Sequence, residues 1–268
     1  MQEFGRVVGD LENRGYFEQR FEKDCPDAPS TVQPADVIAS ELGVEDLWPL
    51  PLRRLESNQE LFFDVIEALH DLTSAPQSGY VHNYGGCGLH YGSFSAAIGR
   101  RVYRSSVNHI LDRAAFGLRL SENGEDRGRL VAVTDSARTD LVRDMAQRSD
   151  AETGDDVRHA IALFRARGAS VQDKRSSCIA LAGVLESRRD LLQSGMLRKD
   201  EGALFNLANS FGIRHQNAQQ SGDYDPIFLD WVFWFFLAAI ELSDRLLDRQ
   251  NANPPKHPLV GHDAHPPG

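Results

Sequence analysis

Residues 204–242 read LFNLANSFGIRHQNAQQSGDYDPIFLDWVFWFFLAAIEL. A dense polar group, Asn206, Asn209, Arg214, His215, Asn217 and Gln220, stands directly before the most apolar run of the sequence. Asp225-Pro226 supplies a helix N-cap followed by proline at the first helical position, which predicts a helix from there to about Arg249. A preceding helix is expected from Asp200 to about residue 215. At about 100° per residue, its Leu204, Ala208, Phe211 and His215 share one narrow stripe, while Arg214, Asn217 and Gln220 recur every three residues on the neighbouring ridge. The last helix carries Phe228, Trp231, Phe235 and Leu242 on one stripe and is apolar nearly all round, so it needs cover on more than one side.

Working outward, two more helices are expected before this pair. One spans about 155–167 and is ended by Gly168; the other spans about 171–193, with Cys178, Leu181, Ala182 and Leu185 as its inward stripe. Four helices with short connections predict an antiparallel bundle over 151–250. Arg148 to Asp155 (RSDAETGD) reads as the boundary, with an α-rich module over 1–150 on its other side. The proline-rich tail 251–268 is expected to be disordered.

In the first module, residues 4–24 predict two short helices interrupted at Gly15, and 35–42 another. Asn58 to Leu72 is clearer: Leu61, Phe62, Val65, Ile66 and Leu69 form one face, with Ser57 or Asn58 as cap. A Gly-, Tyr- and His-rich loop, SGYVHNYGGCGLHYGSF, follows, then a helix from about Phe94 to Phe116. Apolar and polar residues alternate on both sides of Asn123-Gly124, which predicts a β-hairpin near 117–134.

Composition narrows the function classes. The 268 residues carry 41% hydrophobic side chains and a net charge of −10, which argues against a broad DNA-binding surface or a grip on anionic membrane. Residues 151–250 hold 12 basic and 14 acidic side chains, so a local basic site is compatible with that part. Three separated cysteines, Cys25, Cys87 and Cys178, fit a reducing cytoplasm better than a disulfide framework. The N-terminus lacks the apolar core of a signal peptide, and Trp231 to Ile240 is too short to span a bilayer.

The polar group of 206–220 suits a phosphodiester. Arg214 can fork onto phosphate oxygens, and an imidazole such as His215 can take the proton of a ribose 2′-hydroxyl. Asn209, Asn217 and Gln220 can hold sugar or phosphate oxygens. Such cleavage needs no metal and no cofactor. The competing structural reading pairs Arg214 with Asp223 or Asp225 and makes His215 a hydrogen-bonded core residue.

Two further sets stand out. His82, Cys87 and His90 have the spacing H-x4-C-x2-H, three candidate zinc ligands that need a remote fourth, Cys25 or His70; the reading preferred from sequence is a structural glycine loop without metal. Asp64, Glu67 and His70 at i, i+3, i+6 read as a solvated helix face.

The segment NSFGIRHQNAQQ followed by an aromatic helix resembles the HEPN superfamily of small all-α domains. LWPLP, ELFFDVIEALHDL, HNYGGCGLHY and SVNHIL resemble the N-terminal module of AbiJ-like abortive-infection proteins. The resemblance implies a HEPN-like helical bundle, bacterial phage defence (antiviral abortive infection), RNA binding or metal-independent ribonuclease activity, and a homodimer. In the family signature, arginine and a polar residue precede a histidine four to six positions on. Arg214 and His215 match the first two; positions 219–221 are Gln219, Gln220 and Ser221, so the terminal histidine has no match. Either His215 serves as the base, or the site binds RNA or a nucleotide without cutting.

Overall fold

The computed structural model describes residues 1–27, 29–114, 116–147, 153–210 and 226–252, of which the side chains of 208–210 are excluded. The described residues are mainly helical, and they divide into two units. The first unit comprises Met1–Gln147 with Ala162–Ala169; the second comprises Arg148–Ile161 with Ser170–Gly268. The division therefore differs from a boundary near residue 150 by the segment 162–169.

In the first unit α1 (Gln2–Asn13) and α2 (Glu18–Phe21) flank Gly15, as the interruption there predicts. They are followed by α3 (Pro34–Leu42), α4 (Leu52–Ser57) and α5 (Gln59–Leu72). Asn58 caps α5 by accepting from the Leu61 amide at 3.1 Å. Leu61, Phe62, Val65, Ile66 and Leu69 are all buried, and Phe62 meets Phe4 of α1 edge-on at 5.2 Å. Tyr103 of α6 (Ala96–Arg113) is fully buried and donates its hydroxyl to the Ile66 carbonyl at 3.0 Å, fastening α6 along α5.

The Gly-, Tyr- and His-rich stretch between α5 and α6 is not an irregular loop. It is an antiparallel hairpin, β1 (Ala75–His82) and β2 (Gly88–Ser95), which pairs Ala75 with Ser95 at its base, shifts register between Pro76 and Gly79, and then runs evenly to His82 opposite Gly88. Few of its side chains are buried, so the pairing left no apolar alternation to read in the sequence.

The expected ribbon near 117–134 is present as β3 (Leu118–Leu120) and β4 (Leu130–Ala132). Its turn is not a two-residue turn at Asn123-Gly124. Residues 121–129 form a wide loop organised by Ser121, which donates to Asp126 at 2.9 Å, and by the Leu120–Asn108 pair of hydrogen bonds onto α6. Helix α7 (Ser136–Gln147) completes the main segment. Residues 162–169 attach here through Arg165, which pairs with Asp126 at 3.3 Å, and through Arg167, which reaches Glu60 at 2.6 Å and Asp64 at 2.5 Å. Glu67 accepts from the Leu130 amide at 2.9 Å, so Asp64 and Glu67 belong to internal contacts rather than to an idle solvated face.

Helix α8 (Gly154–Arg165) begins in the second unit. There follow α9 (Val171–Ser187), α10 (Arg189–Gly195), α11 (Arg198–Ser210) and α12 (Ile227–Ala252). A capping box between Ser170 and Asp173 starts α9. The single helix expected over 171–193 is broken at Arg188, whose guanidinium is buried and donates to Ser243 at 2.7 Å, to Asp244 at 2.5 Å and to Thr153 at 2.7 Å. The α9–α12 packing is extended by Lys174–Asp230 at 3.1 Å and by the Cys178 thiol, which donates to the Leu229 carbonyl at 3.6 Å. Along α12, Val232, Phe233, Phe236, Leu237 and Ile240 are buried, while Phe228, Trp231, Phe235 and Leu242 are exposed. No helix among the described residues is long and apolar enough to cross a membrane.

Candidate functional site

Four side chains of metal-ligating type meet at the tip of the β1–β2 hairpin: Cys25, His82, Cys87 and His90, with their donor atoms all within 4.8 Å of one another. Cys25 Sγ lies 3.4 Å from His82 Nδ1 and 3.4 Å from Cys87 Sγ. His82 ends β1, Cys87 sits in the turn, and His90 stands on β2 directly opposite Tyr80. Cys25 arrives from the segment after α2.

The local sequence explains the convergence. Tyr84–Gly86 forms one turn of 3₁₀ helix, with Gly85 at φ 62° and Gly86 at φ 77°, and Gly88 follows at φ 73°. This left-handed backbone folds Cys87 back between the two strands. A Cβ on Gly85 would stand 2.8 Å from Pro26 Cγ, so the bare backbone there lets the turn lie against the Cys25-Pro26 corner. Lys23 ties the same segment to β2 by donating to the Leu89 carbonyl at 2.7 Å.

Each donor has a defined environment. His82 Nε2 lies 3.0 Å from the Asp27 carboxylate, which holds the proton on Nε2 and turns the Nδ1 lone pair towards the sulfurs. His90 Nε2 is buried without a hydrogen-bond partner among the described residues, and its ring stacks on Tyr80 at 5.7 Å. Cys25 is buried and Cys87 half-buried, and both are free thiols. Desolvation, with the adjacent Cys25 thiol, pushes Cys87 above its ordinary pKa. Two sulfurs and two imidazole nitrogens at this spacing can hold one tetrahedral divalent ion.

His70, the other remote residue considered for a fourth ligand, is engaged elsewhere. It is buried, with Nδ1 2.9 Å from Asp71 and Nε2 accepting from Arg104 at 3.0 Å. Burial lowers its pKa, in spite of the Asp71 partner. The Asp71 carboxyl is opposed by its own burial, but the bonds from His70 and Arg129 outweigh that and hold it down to about 2. The H-x4-C-x2-H spacing pointed at three of the four residues in the cluster; nothing local to it pointed at Cys25.

Of the phosphodiester residues, Asn209 lies in the last turn of α11, with its side chain outside the described residues. Arg214, His215, Asn217 and Gln220 also lie outside the described residues, in the segment joining α11 to α12.

Together these features define an α-rich chain of two units with a Cys2His2 cluster in the first. Comparison with known proteins returned no matching family model, no matching curated protein and no matching solved structure.

Proposed function

We propose that the C-terminal unit binds RNA, or cleaves it without a metal ion, in bacterial phage defence. The observation that carries this reading is the polar string between α11 and α12, where Arg214 and His215 fall in a segment, NSFGIRHQNAQQ, that resembles HEPN domains. Arg214 is assigned to phosphate, His215 to the 2′-hydroxyl proton or to orienting the substrate, and Asn209, Asn217 and Gln220 to sugar and phosphate oxygens. The test is cleavage of single-stranded RNA in buffer without added divalent ions. Wild type is expected to cut, with Arg214→Ala and His215→Ala each slower by about 10²-fold or more. Equal activity in all three, or none in any, overturns the nuclease reading.

A second reading has its own support in Gln220, which stands where the signature expects histidine and cannot serve as a base near neutral pH. The site would then sense a nucleotide or fasten a protein interaction without catalysis. RNA affinity that falls in Arg214→Ala while stability holds favours binding; a large loss of stability with no nucleic acid bound favours a structural cluster.

The resemblance also implies a homodimer, and the exposed stripe of α12 supports it. Trp231 and Phe235 stack at 5.9 Å on the outer face of that helix, flanked by Phe228 and Leu242. A second copy of the chain is the partner assigned to this stripe. Sedimentation equilibrium is expected to show a dimer that Trp231→Glu dissociates; a monomeric wild type contradicts it.

A further inference from the structure

We propose that Cys25, His82, Cys87 and His90 bind one zinc ion in a closed tetrahedral site that clamps the hairpin tip to the N-terminal segment. The inference is independent of the RNA reading, because all four residues belong to the first unit.

Geometry carries the proposal. Tetrahedral zinc with bonds of about 2.3 Å to sulfur and about 2.0 Å to nitrogen spaces its ligand atoms roughly 3.3–3.8 Å apart. The Cys25–Cys87 and Cys25–His82 separations are both 3.4 Å, and no pair in the set exceeds 4.8 Å.

Ligand chemistry selects the metal. Two thiolates with two neutral imidazoles suit zinc, whereas calcium and magnesium want oxygen donors, and no carboxylate among the described residues joins the set. Binding removes one proton from each cysteine, so the ion and its two thiolates sum to zero charge. Asp27 then sits behind His82 as the carboxylate that fixes the ring tautomer. The buried Nε2 of His90, which has no hydrogen-bond partner among the described residues, would gain one as a ligand. A disulfide fits less well: 3.4 Å between Cys25 and Cys87 sulfurs is far beyond the roughly 2.05 Å of a bond, and it leaves both imidazoles without a role. With four protein ligands there is no open position for water, so the ion is structural.

The test measures metal content and affinity on the full chain, purified under reducing conditions without chelator. Wild type and Cys178→Ala are expected to hold one zinc per chain and to take up cobalt(II) with the visible bands of a tetrahedral thiolate site. Cys25→Ser and Cys87→Ser are expected to lose at least tenfold in affinity. Asp27→Asn, which keeps all four ligands, is expected to remain fully loaded at saturation but to bind about 10–100-fold more weakly in competition with a chromophoric chelator. A wild-type chain that takes up neither zinc nor cobalt overturns the proposal. So does a Cys25→Ser variant that binds as tightly as wild type, or a Cys25–Cys87 disulfide recovered in place of metal.

Discussion

Cys25 and His82 stand 57 residues apart in the chain, and the sulfur of one lies 3.4 Å from a ring nitrogen of the other. The contact joins the segment after α2 to a two-stranded hairpin that buries little of its own surface. Such a hairpin is marginal in isolation. Its order should therefore depend on what holds Cys25, His82, Cys87 and His90 together. Hydrogen exchange is expected to quicken across residues 75–95 when a strong chelator is added, while α5 and the buried face of α6 stay protected. Unchanged exchange in the hairpin would disconnect its order from metal.

A second clamp holds the β3–β4 loop on α5. Gly128 has φ 80°, and a Cβ there would fall 2.2 Å from Cε1 and Nδ1 of the buried His70 ring. Left-handed strain and overpacking add at this position, so Gly128→Ala is expected to lower stability by about 3 kcal/mol. Urea denaturation checks it, with Gly86→Ala as a control: that residue is also left-handed but open to space, and only the strain remains.

The same imidazole predicts a dependence on pH. Burial depresses the pKa of His70, so the unfolded chain binds the proton more readily than the folded one. This contribution is fully present above the unfolded value of about 6.5 and declines as pH falls from there towards the folded pKa. The contribution of Asp71, held at about 2, is lost only between its ordinary 3.8 and that value, so it stays constant across pH 5–8. Denaturation midpoints at pH 8, 6 and 5 should fall less steeply in His70→Gln than in wild type. Parallel slopes would remove His70 from the explanation.

In the second unit, Arg188 and Asp244 form a buried ion pair, with side chains 8% and 9% exposed. Removing Asp244 breaks this buried pair at one end, and Asp244→Ala is expected to lower stability by about 3 kcal/mol. Replacing both, as Arg188→Met with Asp244→Leu, should cost much less than the sum of the single changes. A double-mutant cycle by thermal or urea unfolding measures the difference.

The helices were legible because burial follows their periodicity. In α5 the five apolar positions read from sequence are all buried, with Phe63, Ala68 and Leu72 packed beside them, and Asn58 caps as its residue type suggests. What escaped detection depended on long-range partners. Arg188 breaks the helix expected over 171–193 because Asp244, Ser243 and Thr153 take its guanidinium. Asn123-Gly124 suggested a tight turn, but the Ser121–Asp126 bond widens the loop and the strands resume only at Leu130. The β1–β2 strands carry no apolar alternation, so a hairpin looked like a glycine-rich loop. Of the metal cluster, three residues had recognisable spacing; the fourth, open from sequence between Cys25 and His70, was decided only when folding brought Cys25 to the turn.

The most direct measurement is X-ray absorption at the zinc edge of the purified protein. Two sulfurs at about 2.3 Å and two nitrogens at about 2.0 Å around each zinc are predicted. A shell of oxygens alone, or a protein that carries no zinc after reduction and reconstitution, would contradict a Cys25–His82–Cys87–His90 site.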